Sequence, residues 1–453
     1  MNFKTLLMVG VALVTQRAHT APVSFWVWQR AEPLTTEEVR VLDQSGIKEL
    51  YWHYGTLTCR AGEWIWKERH GLPPTSMRSG SPALIPVIRL EPSQPFTAAE
   101  FRSLITKLDQ LAVTLHCPLF QLDYEAPDRL LPLYENFLRE LKGRGYPWHL
   151  SITALAHWSR IAGDFDGLVD EMIPMFYDLG SGHERLSKGR LPMSLGPEAN
   201  DQIMGWKNCR VPWRAGLPNF RRVSVVDRSG LTRGSIRGFH LDDIWFSPLL
   251  KSEEPTTGGE TVFRVLGEGL LGDTLLHQGE RIVVREPPLE GLITLKKVSA
   301  KAGATGAVFF QIPRRSNDSG LSVRALCADG AELPRLTVQR TGNGCIRLVN
   351  SSDVDLAPSV SGDSRGYALV LRGPAGSWRE AVAGDFARVT TDQAGSCVVG
   401  DEIPRGAEEL YFWFSHLPAG ATLTSGLLQS ASSSGISFRI LNIPPGSPWQ
   451  PLR

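Results

Sequence analysis

The chain has 453 residues, of which 42% are hydrophobic and 21% are charged, with 48 Lys and Arg against 47 Asp and Glu. This composition excludes a disordered or coiled-coil protein, and the balanced charge argues against a nucleic-acid binder and a polybasic membrane-surface protein. The length predicts about two or three domains.

Residues 1–21 have the order of an export signal. Lys4 supplies a positive charge, an apolar run covers Leu6–Val14, and small residues follow up to Ala21. The run is too short to span a bilayer, and no later segment is long enough to do so. We therefore expect a signal peptide over 1–21, a periplasmic or extracellular protein, and no transmembrane segment after the signal. The alternative is an uncleaved N-terminal anchor.

Short apolar runs alternate with helical patterns from residue 23 to residue 177, which predicts parallel strands joined by helices. Two of the helices begin at the capping-box patterns Thr35-x-x-Glu38 and Thr97-x-x-Glu100. Six such units in one stretch favour a (β/α) barrel over an open sheet. The six runs are 24–29, 47–54, 83–90, 119–126, 149–156 and 171–177.

Two further strands are needed to close the barrel. The seventh is predicted over 213–220, and the eighth has two candidates, 236–246 and 306–312. We favour 306–312, because a helical pattern over 289–302 precedes it. Residues 221–288 then form a β-rich insertion in a βα loop, on the C-terminal face where the active sites of such barrels lie.

Helical periodicity fades after residue 318, and the short alternating runs that follow are typical of a β-sandwich. The predicted fold class is therefore α/β. We expect a (β/α)8 TIM-type barrel over 22–318, with the β-rich insertion at about 221–288, and a C-terminal β-sandwich domain over 319–453. The alternating runs are 336–339, 345–349, 367–371, 410–414 and 436–440.

The fourth run carries two carboxylates that are candidates for catalysis. Alternation along a strand places Gln121, Asp123 and Glu125 on one face, toward the barrel interior, with Glu125 nearest the C-terminal rim. Two acids this close raise the pKa of one of them, which can then serve as a general acid. The alternative is a structural pair bound by Arg30 or Arg89.

The sixth run ends with Met175 and Tyr177 on one face and Asp178 at the rim. Together with the fourth run, it resembles the family-18 glycoside hydrolases, the chitinase-type barrels. Their fourth strand has the pattern D-x-x-D-x-D-x-E, and their sixth ends M-x-Y-D. Asp123 and Glu125 match the last two acids of the first motif, and the sixth run matches the second.

Two positions depart from the first motif. Pro118 and Gln121 stand where the family has its first two acids. Gln121 keeps a hydrogen-bonding group at that position but not a charge.

A more extensive resemblance covers roughly residues 23–320. The chain looks like the bacterial domain-of-unknown-function family 3142, which implies a glycosidase-like barrel without an established activity. The matching runs are Val27-Trp28-Gln29-Arg30, Gln121-Leu122-Asp123-Tyr124, Leu150–Ala156, Ile173–Tyr177 and Phe309–Pro313.

Further candidates lie at the ends of other predicted strands or within the matching runs. The chain has 13 tryptophans, which fit either a packed aromatic core or a cleft in which flat rings stack on sugars. The predicted substrate-binding residues are Trp28, Arg30, His53, Gln121, Trp158 and Met175.

The sequence predicts no cofactor and no metal. It has no Walker A, GxGxxG, HExxH or GxSxG motif, and its six cysteines include no CxxC pair. Cys327 and Cys345 are candidates for a disulfide within the predicted sandwich.

The resemblances imply a hydrolase of a polysaccharide or amino-sugar glycan, and the order of residues 1–21 predicts that it is exported. Glu125 then protonates the leaving oxygen, Asp123 orients an N-acetyl group that acts as internal nucleophile, Tyr177 hydrogen-bonds that group, and Asp178 holds substrate hydroxyls. The main alternative is a non-catalytic glycan-binding barrel of the cell envelope, which Gln121 favours. A third reading is a structural envelope protein whose barrel has lost its site.

Overall fold

The computed structural model describes residues 22–73, 81–91, 97–115, 119–145, 149–177, 197–253, 260–313, 320–328, 333–361, 364–392, 403, 406–431, 435–442 and 448–452. Three expectations lie outside these residues. They are the signal peptide over 1–21, the role of Asp178, and the domain boundary at 318/319.

Seven of the first eight strands of the chain belong to the barrel. All run parallel except β3, which forms an antiparallel hairpin with β2. The strands are β1 (Val23–Val27), β2 (Glu49–Arg60), β3 (Glu63–Arg69), β4 (Ala83–Leu90), β5 (Leu119–Asp123), β6 (His149–Leu155), β7 (Glu171–Met175) and β8 (Arg214–Pro218).

An antiparallel insertion follows β8. Five of its strands form one sheet in the order β10-β9-β15-β12-β11, and β13 and β14 form a separate hairpin. The strands are β9 (Arg222–Val226), β10 (Thr232–Ser235), β11 (Leu250–Ser252), β12 (Glu260–Val265), β13 (Gly269–Leu271), β14 (Thr274–Leu276) and β15 (Arg281–Arg285).

The barrel closes through β16 (Gly306–Phe310), which pairs in parallel with β8 on one side and with β1 on the other. Because β1 also pairs with β2, the eight parallel strands leave no open edge. The preferred eighth strand is therefore confirmed. The other candidate, 236–246, contains a short helix instead.

Helices cover most of the barrel crossovers, and both predicted capping boxes are present. Apolar residues at helical spacing bury one face of each long helix against the strands. The helices are α1 (Thr36–Gln44), α2 (Ala98–Leu115), α3 (Leu131–Gly143), α4 (Pro197–Gly205), α5 (Leu241–Trp245), α6 (Leu289–Lys301) and α7 (Val323–Cys327). Of the helices in the described residues, none is both long and apolar enough to cross a bilayer.

The C-terminal part of the chain is antiparallel β structure. Its largest sheets run β17-β18-β25 and β23-β24-β21-β27-β28, with two smaller pairs, β19-β20 and β22-β26. The strands are β17 (Leu336–Arg340), β18 (Ile346–Asn350), β19 (Val360–Ser361), β20 (Ser364–Arg365), β21 (Tyr367–Arg372), β22 (Trp378–Ala381), β23 (Arg388–Thr391), β24 (Glu409–Phe414), β25 (Thr422–Thr424), β26 (Leu428–Ser430), β27 (Ser437–Leu441) and β28 (Gln450–Pro451).

The two larger C-terminal sheets share one apolar core, as a β-sandwich requires. Ile346 and Leu348 of β18 pack in the same cluster as Leu369 and Leu371 of β21. Cys345 is a free cysteine, so the candidate Cys327–Cys345 disulfide does not form. The division of the chain into two domains stays a prediction.

The barrel interior is layered along its axis. At the N-terminal ends of the strands, Arg214 forms ion pairs with Glu49 and Glu171, both at 2.8 Å. Tyr51 donates a 2.6 Å hydrogen bond to the same Glu171 carboxylate. An apolar cluster that includes Val87 fills the middle. This filling leaves the C-terminal mouth as the open end.

Candidate functional site

A small pocket opens at the C-terminal mouth of the barrel, where the ends of several parallel strands meet. The volume enclosed by its described lining is about 110 Å³. Asp123, Met175 and Phe310 are the last residues of β5, β7 and β16. The full lining is Trp26, Trp28, Arg89, Asp123, Glu125, Thr153, Met175, Tyr177 and Phe310.

The fourth barrel strand is shorter than expected, which corrects the predicted position of Glu125. β5 ends at Asp123, where its pairing with β4 also ends, opposite Arg89. The backbone then turns tightly, with the amide of Ala126 donating to the Tyr124 carbonyl at 2.9 Å. Glu125 is therefore an exposed loop residue at the mouth rather than the last inward residue of a strand. It still lines the pocket.

Asp123 is the buried carboxyl group of the pocket and is only 7% exposed. The Thr153 hydroxyl donates to its Oδ1 at 2.8 Å, and Arg89 Nε lies 3.9 Å from its Oδ2. Burial raises the pKa of Asp123 to about 6, although Arg89 and Thr153 lower it and the charge of Glu125 raises it slightly further. The carboxyl group therefore changes charge within the range of mildly acidic to neutral solutions.

Tyr177 places a neutral phenol beside the two acids. Its ring packs on Phe310 at 5.7 Å between centroids and meets Phe220 edge-on at 6.0 Å. Burial raises the pKa of Tyr177 well above its usual value, and the negative charges of Asp123 and Glu125 raise it further. The hydroxyl group therefore stays protonated and serves as a hydrogen-bond donor.

Trp28 is one of the aromatic residues that line the pocket, and His53 lies behind it. The two rings stack at 4.0 Å and are nearly parallel at 10°, while the edge of Phe310 approaches Trp28 at 5.6 Å. His53 has no exposed surface. The indole of Trp28 lies over the imidazole ring, and the predicted contact of His53 with substrate stays a prediction.

Gln121 is also placed away from the pocket. It has no exposed surface, it accepts a 2.7 Å hydrogen bond from Trp26 Nε1, and its amide donates to Ser151 Oγ at 3.0 Å. Both ends of the amide are used inside the barrel, and the predicted contact of Gln121 with substrate stays a prediction. At this position the chain has a fixed neutral group below Asp123.

Two other predicted binding residues have structural partners elsewhere. Arg30 forms an ion pair with Glu38 of α1 at 2.8 Å, which ties the loop after β1 to that helix. Trp158 is fully buried and stacks on Phe165 at 5.8 Å in the core between strands and helices. Neither side chain lines this pocket, and their contact with substrate stays a prediction.

Thr153 and Phe310 line the pocket without having been predicted from the sequence, and Arg89 lines it although it was expected only as a structural partner. Alternation along the fifth and eighth barrel strands would point Thr153 and Phe310 inward. Their position along the barrel axis relative to Asp123 depends on the register between strands, and the sequence pattern carries no information about that register.

The pocket combines groups suited to proton transfer and to binding a polar substituent. It brings together a buried carboxyl that titrates near pH 6, an exposed carboxyl and a neutral phenol. Its described lining contains no His or Cys. This arrangement can protonate a departing oxygen and hold an amide group between an acceptor and a donor.

No family model matches the chain, and no curated protein matches it. Similar solved structures include the spore cortex-lytic enzyme SleL of Bacillus cereus, with 14% identity over 69% of this chain and 74% of that chain and a TM-score of 0.47. A chitinase from Chromobacterium violaceum has 11% identity over 68% and 97% and a TM-score of 0.44. The chitinase-like agglutinin RobpsCRA from Robinia pseudoacacia has 14% identity over 67% and 99% and a TM-score of 0.42.

These similarities are too distant to establish the fold or an activity for this chain, with identities of at most 14% and TM-scores of at most 0.47. The barrel is established by its own strand pairing. The resemblance to family 3142 stays a prediction.

Proposed function

We propose that the protein is an exported glycoside hydrolase that cleaves a polysaccharide or amino-sugar glycan at the barrel mouth. The observation that carries this proposal is the convergence of Asp123, Glu125 and Tyr177 on one pocket at the C-terminal ends of the barrel strands. The three groups come from two separate segments of the chain, and the closed barrel holds them together.

The proposed chemistry is substrate-assisted. Glu125, exposed at the mouth, donates a proton to the leaving glycosidic oxygen as the bond to the anomeric carbon breaks. The carbonyl oxygen of the substrate's own N-acetyl group forms the new bond to that carbon. A water molecule then opens the cyclic intermediate, and Glu125 takes back a proton from this water.

Asp123 and Tyr177 position the N-acetyl group for that attack. Ionised Asp123 accepts a hydrogen bond from the N–H and stabilises the positive charge that develops on the cyclising amide. The Tyr177 hydroxyl donates to the carbonyl oxygen and fixes its direction. Both contacts act in a mostly buried environment, where such interactions are stronger than in water.

The size of the pocket fits this scheme. Sites that enclose a drug-sized ligand measure about 300–1,000 Å³, whereas this one measures about 110 Å³. It accommodates the N-acetyl substituent of one sugar, while the glycan lies across the open mouth. The partly buried ring of Trp28 then offers an apolar surface to the sugar at this position.

Glycan binding without cleavage is the second candidate, and Gln121 favours it. Its amide is held by Trp26 and by Ser151. Asp123 therefore has no acidic neighbour at this position with which to share a proton. A barrel with this substitution would keep the groups that hold an N-acetyl substituent but would turn over slowly or not at all.

Incubation with a panel of amino-sugar oligosaccharides and polysaccharides tests the proposal. We expect new reducing ends, loss of activity in Asp123→Asn, and competitive inhibition by a thiazoline that mimics the cyclised N-acetyl group. Glycan binding without turnover would support the second candidate. Neither binding nor turnover across the panel would contradict both.

Export and domain organisation are part of the same proposal. The order of residues 1–21 supports cleavage near residue 21, which N-terminal sequencing of protein from the cell envelope would detect. Recovery from the cytosol alone with Met1 intact would contradict export. We also propose that 22–318 and 319–453 are separate domains, since no sheet in the described residues joins strands from both sides.

A further inference from the structure

Two histidines and a glutamate meet at the β2–β3 hairpin, beside the pocket but outside its lining. His53 lies in β2, Glu68 in β3, and His70 directly follows β3. One ligand atom from each residue lies within 4.8 Å of the other two. The hairpin pairs Thr56 with Glu68 and so carries the three side chains to one place.

Each imidazole nitrogen lies close to one oxygen of the Glu68 carboxylate, at a separation near that found around a small metal ion. His53 Nε2 lies 4.0 Å from Glu68 Oε1, and His70 Nε2 lies 3.6 Å from Glu68 Oε2. A tetrahedral zinc ion with bonds of about 2.0–2.2 Å separates its ligand atoms by about 3.3–3.5 Å. Small side-chain rotations therefore bring the three atoms to bonding distance.

A second observation also points to a ligand at this place. His70 Nε2 is buried, and within the described residues it has no hydrogen-bond partner. A buried polar atom without a hydrogen-bond partner destabilises the folded state. A metal ion bound to this nitrogen removes that destabilisation.

The surroundings of Glu68 resemble those of a metal ligand. The Thr56 hydroxyl donates to Glu68 Oε1 at 2.8 Å, which orients the carboxylate. Ligating carboxylates are commonly held by such neighbouring hydrogen bonds. The Glu68 side chain is 35% exposed and that of His70 is 21% exposed, so an ion can reach the site from solvent.

We propose that His53, Glu68 and His70 bind one divalent transition-metal ion, with zinc as the best match. Two imidazoles and one carboxylate form a known three-ligand zinc set, in which a fourth position stays open to water. No local motif in the sequence reveals this site, because fourteen residues, including the β2–β3 turn, separate His53 from Glu68.

The metal would support the wall of the candidate pocket. The His53 ring stacks on Trp28 at 4.0 Å, and Trp28 lines the pocket. An ion on His53 Nε2 fixes the plane of the imidazole and ties it to the β2–β3 hairpin. The orientation of the Trp28 indole is then fixed as well.

The competing arrangement is a hydrogen-bonded cluster without metal. In that arrangement His53 Nε2–H donates to Thr56 Oγ1, which lies 3.2 Å away. Metal binding and this hydrogen bond exclude each other, since both use the same nitrogen. Metal titration therefore distinguishes the two.

The test uses the full-length chain without an affinity tag, stripped with a chelator. We expect Co²⁺ alone to bind at one equivalent and to give the visible absorption of a tetrahedral site, and Zn²⁺ to displace it in calorimetric titration. An excess of Mg²⁺ or Ca²⁺ should not compete, because these ions prefer oxygen ligands.

Three variants identify the site. Changing a residue that only orients a ligand weakens binding by about 10–100-fold, which we expect for Thr56→Val. Glu68→Gln and His70→Gln each remove a ligand, so we expect losses beyond the upper end of that range. The matched control is His277→Gln, which breaks a surface His–Glu pair with Glu268 at 3.4 Å and should leave the affinity unchanged.

Two results would overturn the proposal. One is the absence of one-equivalent binding by either Co²⁺ or Zn²⁺. The other is unchanged affinity in Glu68→Gln and His70→Gln when circular dichroism shows both variants to be folded. None of these readouts depends on enzymatic activity, so the outcome is independent of the proposed hydrolase function.

Discussion

Thr153 and Asp123 are joined by a 2.8 Å hydrogen bond from the threonine hydroxyl to Oδ1, inside the mouth of the barrel. This neutral donor and Arg89, 3.9 Å from Oδ2, are what the fold provides to stabilise the charge of Asp123. The two do not offset burial, and the pKa therefore rises to about 6. At neutral pH Asp123 is ionised, although its surroundings in the folded protein favour the protonated form.

Asp123→Asn should therefore stabilise the protein at neutral pH. Below about pH 4 the folded and unfolded states both protonate Asp123, so the carboxyl costs nothing there. Between about pH 4 and pH 6 the unfolded state has released this proton while the folded state still holds it, so stability falls over that range and the loss is complete above pH 6. A shift of about two pH units corresponds to at most about 3 kcal/mol.

Urea denaturation at pH 7.5 and at pH 4 measures this effect. We expect a higher free energy of unfolding for Asp123→Asn at pH 7.5 and a difference that closes at pH 4. Asp170→Asn is the control of opposite sign. Burial raises the pKa of Asp170, but hydrogen bonds from Leu150 and Lys142 outweigh burial and lower this pKa overall. Asp170→Asn should therefore be less stable than the wild type at pH 7.5. Equal destabilisation of Asp123→Asn at both pH values would contradict the prediction.

In the proposed mechanism, Arg89 should influence the lower limit of the working pH range through its effect on the pKa of Asp123. Ionised Asp123 is the active form in the proposed mechanism, so kcat/KM should fall as the pH drops through about 6. Arg89 lowers the pKa of Asp123, and Arg89→Gln should therefore move this acidic limb to higher pH. The matched control is Arg139→Gln on the exposed face of α3, which should leave the profile unchanged. A limb that stays in place or moves to lower pH in Arg89→Gln would disagree with this assignment.

The barrel was predictable from the sequence because each of its strands leaves a local pattern. Buried parallel strands give apolar runs, and capping boxes such as Thr35-x-x-Glu38 mark where helices begin. The eighth strand was harder to place, since 236–246 is also apolar. A short helix beginning at Leu241 occupies that stretch.

The site was only partly predictable, because its geometry depends on where strands end and on which side chains cover others. The alternation of Gln121, Asp123 and Glu125 continues past the end of β5, so the pattern does not show that the strand stops at Asp123. It also does not show that Trp28 covers His53. Both features depend on contacts between distant segments.

Tyr177→Phe tests the proposed hydrogen bond to the N-acetyl group. Losing one donor that acts on developing charge typically lowers kcat by about 10²–10³-fold, and we expect a loss in that range with KM changed much less. Tyr134→Phe is the control, since this ring is fully buried and its hydroxyl has no partner in the described part of the chain. Equal kcat in Tyr177→Phe and the wild type would remove Tyr177 from the mechanism.

The ion-pair network at the other end of the barrel should matter for stability. Arg214→Met leaves the half-buried Glu171 without its cation, and we expect a loss below the roughly 3–5 kcal/mol that breaking a fully buried pair costs, because both side chains keep some contact with solvent. The double variant Arg214→Met/Glu171→Gln should recover part of that loss. Arg40→Met, which breaks an exposed pair with Glu37, should change the free energy of unfolding little. An equally small effect of Arg214→Met would show that this network does not stabilise the barrel.

The central claim is that Glu125 is the general acid of a substrate-assisted hydrolase, and the most direct test is the rate of Glu125→Gln on two substrates. One substrate is an unmodified amino-sugar oligosaccharide, and the other carries a leaving group acidic enough to depart without a proton. We predict a loss of about 10²–10⁴-fold on the first substrate and recovery of most of that loss on the second, whereas Asp123→Asn stays slow on both. Wild-type rates of Glu125→Gln on both substrates would contradict the account.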